Sequence, residues 1–157
     1  MTIPSKVLKF LNKAKVKYEP IEHRIVYTAF DKAQTLKVPK KIVGKTLIIK
    51  KDEDLILVLI SADKNLDTRK LKKIIKNKKL VLASEGLIKK RLKGVKVGAV
   101  PPFGSLWNIP TFVDKSLMKE KEVILNSGNY NFSIKIQPQI LKNLIPKLTI
   151  GSFGKKK

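Results

Sequence analysis

Apolar and polar positions along the chain follow two periods. From Ser5 to Lys15, Val7, Leu8, Leu11 and Ala14 form one stripe and lysines cover the remainder, which predicts a short amphipathic helix. Tyr18 to Ile21 reads as a strand. Thr28 is placed to cap a second helix, with Asp31 at its third position, and that helix must end before Pro39. Val43 to Lys51 and Leu55 to Ile60 read as strands, and the acidic Asp52-Glu53-Asp54 between them predicts a hairpin. Asp67 should cap a third helix running to about Lys76, with Leu71, Ile74 and Ile75 facing inward. A short strand, Leu80 to Leu82, and a helix capped by Ser84 and ending near Leu92 follow.

Beyond residue 110 the short strand period returns. Thr111 to Val113 predicts one strand, and Val123 to Leu125 with Phe132 to Ile136 predicts a hairpin around Ser127-Gly128-Asn129. Pro138 starts a last helix to about Leu144. Gly154-Lys155-Lys156-Lys157 reads as a frayed basic tail. Mixed helix and strand order with two hairpins predicts an α+β fold. The expectation is a single domain over 1–150, a mixed and partly barrel-like sheet flanked by helices, with 151–157 as its tail.

One segment fits neither period. Gly98-Ala99-Val100-Pro101-Pro102-Phe103-Gly104 cannot be a helix or a regular strand. Pro101 and Pro102 each fix a φ angle and remove an N–H donor, while the flanking glycines permit backbone shapes closed to other residues. Such a rigid loop serves either as a plain Pro-Gly turn or as a holder of backbone donors and acceptors for a small polar ligand. Gly44-Lys45-Thr46 superficially suggests a phosphate-binding P-loop. That pattern needs a glycine where Pro39 stands and a helix after the threonine, whereas Leu47-Ile48-Ile49 is strand-like, so nucleotide hydrolysis of that kind is set aside.

Composition narrows the chemistry further. The chain has no cysteine and one histidine, His23. Disulfides, a thiol nucleophile and Cys-ligated zinc are thereby excluded. No G-x-S-x-G elbow accompanies any serine, which disfavours a Ser–His triad. The longest apolar run, Leu55 to Ile60, is far too short to span a bilayer, and no signal-peptide core is present, so a cytoplasmic setting is expected. The net charge of +23, from 35 Lys+Arg against 12 Asp+Glu, favours a polyanionic partner such as a nucleic acid. Only Arg24, Arg69 and Arg91 are arginine, and a lysine-rich composition also arises from genome bias or a hot habitat.

Five blocks in order carry a family resemblance: Lys45-Thr46-Leu47; Ala62-Asp63 with Leu66-Asp67; Gly98 to Gly104; Val113-Asp114 with Leu117; and Asn126-Ser127-Gly128. Together they resemble the signature of the YbaK/prolyl-tRNA synthetase-associated domain family of aminoacyl-tRNA editing domains, in the form of its free-standing deacylases. The resemblance implies trans-editing, the hydrolysis of the ester joining a wrong amino acid to tRNA. It implies tRNA as partner, with an aminoacyl-tRNA synthetase as a possible second, and neither a cofactor nor a metal. By the same resemblance, Lys45 matches the family's essential lysine and engages the terminal phosphate or the substrate carbonyl. Gly98 and Pro102 match the family's G-x-x-x-P motif, so Gly98, Ala99, Val100, Pro101, Pro102, Phe103 and Gly104 shape the pocket for the aminoacyl group and the terminal ribose. Position 101 is proline where some members carry serine.

Other positions keep two readings. Ser127 and Gly128 either line the pocket floor or form an ordinary hairpin turn. Asp114 either matches a family aspartate or caps the helix that starts at Ser116. Tyr27 and Thr28 line the pocket, or Thr28 serves only as a helix cap. His23 is counted among the substrate-binding residues, or belongs to the surface or core edge, rather than to catalysis, and Trp107 fills the core rather than stacking on the terminal adenine. A deacylase of cysteinyl- or alanyl-tRNA carrying the proline anticodon is the expected function, with a non-catalytic tRNA- or synthetase-binding module of the same fold as the alternative.

Overall fold

The computed structural model describes residues 2–77 and 79–157. Six α-helices are present among them: α1 Ser5–Lys13, α2 Ala29–Leu36, α3 Thr68–Ile75, α4 Glu85–Arg91, α5 Lys115–Met118 and α6 Leu141–Leu144. Ten strands accompany them: β1 Glu19–Glu22, β2 Gly44–Lys51, β3 Asp54–Ser61, β4 Lys64–Leu66, β5 Leu80–Leu82, β6 Thr111–Asp114, β7 Val123–Asn126, β8 Phe132–Ile136, β9 Thr149–Gly151 and β10 Gly154–Lys156.

Five strands form the central sheet in the order β5-β2-β3-β6-β9. β2 pairs antiparallel with β3 and β5, while β6 pairs parallel with β3 and β9. The continuous apolar run of β3 explains its central place, since Leu55 to Ile60 are buried on both faces of the sheet. Leu55 and Leu57 pack with Ile48, Leu92 and Val100 on one face, and Leu59 packs with Phe103 and the α1 residues Val7 and Leu11. On the other face Ile56, Val58 and Ile60 pack with Leu71 of α3 and Phe153.

A second, antiparallel sheet runs β1-β8-β7. A parallel bridge between Val43 and Ile124 joins it to the start of β2, so the two sheets curve round a shared core and bear out the mixed α+β architecture. Gly44 sits at that junction, where a Cβ would strike the side chains of Leu59 and Leu125.

The caps read from sequence are present. Thr28 Oγ1 accepts from Asp31 N at 3.0 Å, Asp67 Oδ1 from Arg69 N at 3.1 Å, and Ser84 Oγ from Leu87 N at 3.2 Å. The last helix starts at Pro138 as a 3-10 turn before α6.

Two short strands, β4 and β9, have no clear sequence period, and the C-terminus departs from expectation. Gly154–Lys156 is not a frayed tail: it pairs antiparallel with Lys64–Leu66. The reason lies in two neighbours. Phe153 is fully buried beneath the central sheet. Asp114 Oδ1 accepts from the N–H groups of both Phe153 and Gly154 at 2.9 Å. A basic segment with one deep aromatic anchor is thereby held although its lysines face solvent.

Candidate active site cleft

A narrow cleft lies between the N-terminus of α2, the end of β7 and the Gly98 loop. Val26, Tyr27, Thr28, Lys32, Gly98, Ala99, Asn126, Asn129 and Tyr130 line it. Its open space is about 10 Å³, room for roughly one water molecule.

The loop divides into two parts. Gly98 is exposed, whereas Ala99 to Gly104 are buried. Gly98 has φ +86°, which disfavours any side chain, yet a Cβ built there would meet only Tyr130 at 3.7 Å, an ordinary contact. The glycine is required by backbone conformation, and the space before it belongs to the cleft. Ala99 is the other loop residue at the cleft wall. Val100 packs against Ile48 and Leu57, and the ring of Phe103 stands 5.5 Å from that of Phe10. No Cβ fits at Gly104, which is pressed against the Ile109 carbonyl and Thr111 Oγ1. Pro101 and Pro102 are buried and do not line the cleft. Of the seven loop residues, Gly98 and Ala99 face the cleft and five support them.

Tyr27 and Tyr130 meet edge to face, 4.8 Å between ring centres. The Tyr130 hydroxyl donates to the Val97 carbonyl and ties this pair to the loop. Thr28 both caps α2 and lines the cleft, so its two readings coincide.

Ser127 and Gly128 take the other reading. Ser127 is fully buried and its Oγ donates to the Phe132 carbonyl at 2.7 Å. Gly128 has φ +104°, with Val95 and Pro4 where a Cβ would stand. They shape the hairpin, and their neighbours Asn126, Asn129 and Tyr130 reach the cleft. Asn129 presents a buried Oδ1 without a hydrogen-bond partner among the described residues.

Sequence reasoning missed Lys32. It is only 5% exposed, and its Nζ donates to Asn126 Oδ1 at 2.7 Å. Asn126 in turn donates through Nδ2 to the Val100 carbonyl at 3.2 Å, linking the helix, the strand and the loop. Among the described residues no carboxylate comes within ion-pair distance of Lys32. Burial therefore lowers its pKa to about 7. The signal was present in the sequence: Ala29, Lys32, Ala33 and Leu36 form the inward stripe of α2, with one lysine among apolar residues.

Lys45 does not line this cleft. It lines a separate groove with Leu47, Asn65, Leu66 and Leu82. The Val43–Ile124 bridge sets β2 alongside β7, so strand alternation puts Lys45 on the side that carries Ile124 and Asn126. Burial first, then the charge of Lys157, pull its pKa below the ordinary lysine value, and Asp63 opposes them. Asp63 is held at 2.5 Å by Ser61 Oγ.

His23 also stands outside the cleft lining. Its Nδ1 lies 2.7 Å from the Arg24 carbonyl and its Nε2 2.8 Å from Ser133 Oγ. Its pKa is lowered, chiefly by burial. Trp107 is half-buried against the Leu92 cluster, with Nε1 donating to the Lys93 carbonyl at 3.0 Å. Asp114 caps α5 through Ser116 and also pairs with Lys64 at 3.5 Å. Among the described residues no group of three or more His, Cys, Asp or Glu could hold a metal ion, and no helix is long and apolar enough to cross a membrane.

A crystal structure described as that of a hypothetical protein superposes with a TM-score of 0.86 at 22% identity, covering 96% of this chain and 100% of that one. A proposed trans-editing enzyme for prolyl tRNA synthetase superposes at 0.83 with 21% identity, covering 96% of this chain and 95% of the other. Two proline–tRNA ligases are each 29% identical, from Caldicellulosiruptor bescii over 126 residues and from Caldicellulosiruptor saccharolyticus over 100. They match 76% and 64% of this chain, which spans only 21% and 17% of their lengths. The family model of the aminoacyl-tRNA editing domain matches residues 23–144, a span that contains every residue lining the cleft, and the chain belongs to that family.

Proposed function

We propose that the protein is a trans-editing deacylase that hydrolyses the ester of a mischarged aminoacyl-tRNA in the cytoplasm, releasing free amino acid and intact tRNA. The observation that carries this reading is the exposed, left-handed Gly98 in an otherwise buried loop, facing Thr28, Asn126 and Asn129 across a cleft. Backbone groups fixed in this way can steady the oxyanion that develops as water attacks an ester, without a triad. The terminal adenosine enters from solvent over Gly98. Lys45, outside the cleft lining, meets the terminal phosphate or the substrate carbonyl. With proline–tRNA ligases among the relatives, alanyl- or cysteinyl-tRNA bearing the proline anticodon is the preferred substrate, and the synthetase that makes such errors is a candidate partner.

The test is a panel of mischarged tRNAs incubated with the purified protein, following release of amino acid. Release from at least one small-amino-acid ester, with correctly charged prolyl-tRNA spared, is expected. Tight tRNA binding without release from any member would favour a non-catalytic binding module instead.

A further inference from the structure

Lys32 poses a question that packing does not answer. A buried lysine without a carboxylate partner destabilises a fold, and a methionine would fill the same stem. It nevertheless lines the same cleft as Gly98 and Ala99. Asn126 fixes it there, because Asn126 spends its Nδ2 on the Val100 carbonyl and so must turn Oδ1 toward the amine. One N–H of the amine is thereby committed, and the Lys32 side chain lines the space that holds about one water.

We propose that Lys32 is the general base of this cleft: its amine, oriented by Asn126, takes a proton from the water that attacks the ester carbonyl. The inference rests on the deacylase reading above. In the step, the water oxygen bonds to the carbonyl carbon while its proton passes to the Lys32 nitrogen lone pair. The tetrahedral oxyanion then collapses, the bond to the ribose oxygen breaks, and the ammonium returns the proton to that oxygen. The products are the amino acid and an intact ribose hydroxyl, and Lys32 is neutral again. Burial lowers the pKa of the amine to about 7, which keeps a large fraction unprotonated at neutral pH.

The titratable groups around it come from several elements. His23 at the end of β1 interacts electrostatically with Lys32. Tyr27 precedes α2 and Tyr130 lies in the β7–β8 turn, both on the cleft wall. Lys96 lies 5.5 Å from the Tyr130 ring centre, and Lys45 stands on the strand beside β7. None of these is a carboxylate, so the surroundings favour the neutral amine.

The experiment measures single-turnover deacylation against pH for wild type, Lys32→Met and Lys32→Ala on the most reactive tRNA of the panel, after subtracting spontaneous hydrolysis. Wild type should show a rate that rises through about pH 7 and levels off. Both variants should lose about a hundredfold at the plateau and lose that limb. A thermal melt should show Lys32→Met folded, and added methylamine should restore activity to Lys32→Ala in proportion to its free-base concentration, which a purely structural lysine would not allow. Release by wild type with Lys32→Met within about fivefold, or loss without amine rescue, would overturn the role of Lys32 and leave the deacylase reading standing. No release by wild type from any tRNA would overturn both.

Discussion

At the scale of single residues, the buried amine of Lys32 couples stability to pH. Its folded pKa is about 7 against an ordinary value of 10.5. Below pH 7 the folded and unfolded chains both hold the proton, and the fold bears the full cost of burying an ammonium. Between pH 7 and 10.5 the unfolded chain holds a proton that the folded chain lacks, so stability rises with pH at about 1.4 kcal/mol per unit. Denaturant melts of wild type against Lys32→Met should show this slope in wild type alone, with the variant the more stable at pH 6. An equal slope in both would place the amine in contact with solvent. Lys45 makes a different prediction. It is half-buried on β2 beside a groove rather than in the core, so Lys45→Ala should fold normally yet lose at least about a hundredfold in deacylation, as expected when one electrostatic contact to the substrate is removed. Unchanged single-turnover rates would remove Lys45 from the reaction. Lys32 was legible as the one lysine on the apolar stripe of α2, but a stripe reports burial and cannot say that the buried side chain opens onto a cleft.

At the scale of elements, the Gly98 loop and the C-terminal strand each concentrate an effect in one residue. Gly98→Val introduces a branched side chain at φ +86° and fills the mouth of the cleft. Deacylation should collapse while affinity for uncharged tRNA stays within a few-fold, because phosphates supply most of that binding. A thermal melt accompanies the assay, and normal turnover by the folded variant would make the loop a mere turn. The strand β10 depends on Phe153, which fills the space between Ile60, Leu71 and Val58. Phe153→Ala should cost about 3–5 kcal/mol in chemical denaturation, the range for removing a buried aromatic ring. A loss under 1 kcal/mol would return the segment to the status of a tail. This strand was hidden from sequence reading because two of its three residues are lysines and a third follows it, while its anchors, the Asp114 carboxylate and the pocket for Phe153, are distant in the chain. The loop was legible as a loop, since Pro and Gly act locally. Its division into two cleft-facing and five supporting residues depended on Ile48, Phe10 and Thr111, which come from three other elements.

At the scale of the whole molecule, the chain carries a net charge of +23, and among the described residues Lys32 is the one buried lysine or arginine. If that charge serves tRNA contact, affinity for uncharged tRNA should fall with a log–log salt slope of several units, measured by fluorescence titration between low and moderate salt. A flat response would mean that the lysines reflect composition alone. Taken by itself, the sequence determined the helix caps, the hairpins, the centrality of β3 and the presence of one rigid loop. These depend on side-chain period, on capping groups within three residues, and on Pro and Gly dihedrals, all of which act between near neighbours. The five ordered blocks also pointed to the editing family. Tertiary structure alone decided which residues share the cleft, because the Val43–Ile124 bridge and the Lys32–Asn126–Val100 chain join segments far apart in sequence. It decided too that Ser127 supports a hairpin and that the C-terminus is a strand. Burial and hydrogen-bond partners are set by what the folded chain brings near, and no local pattern records them.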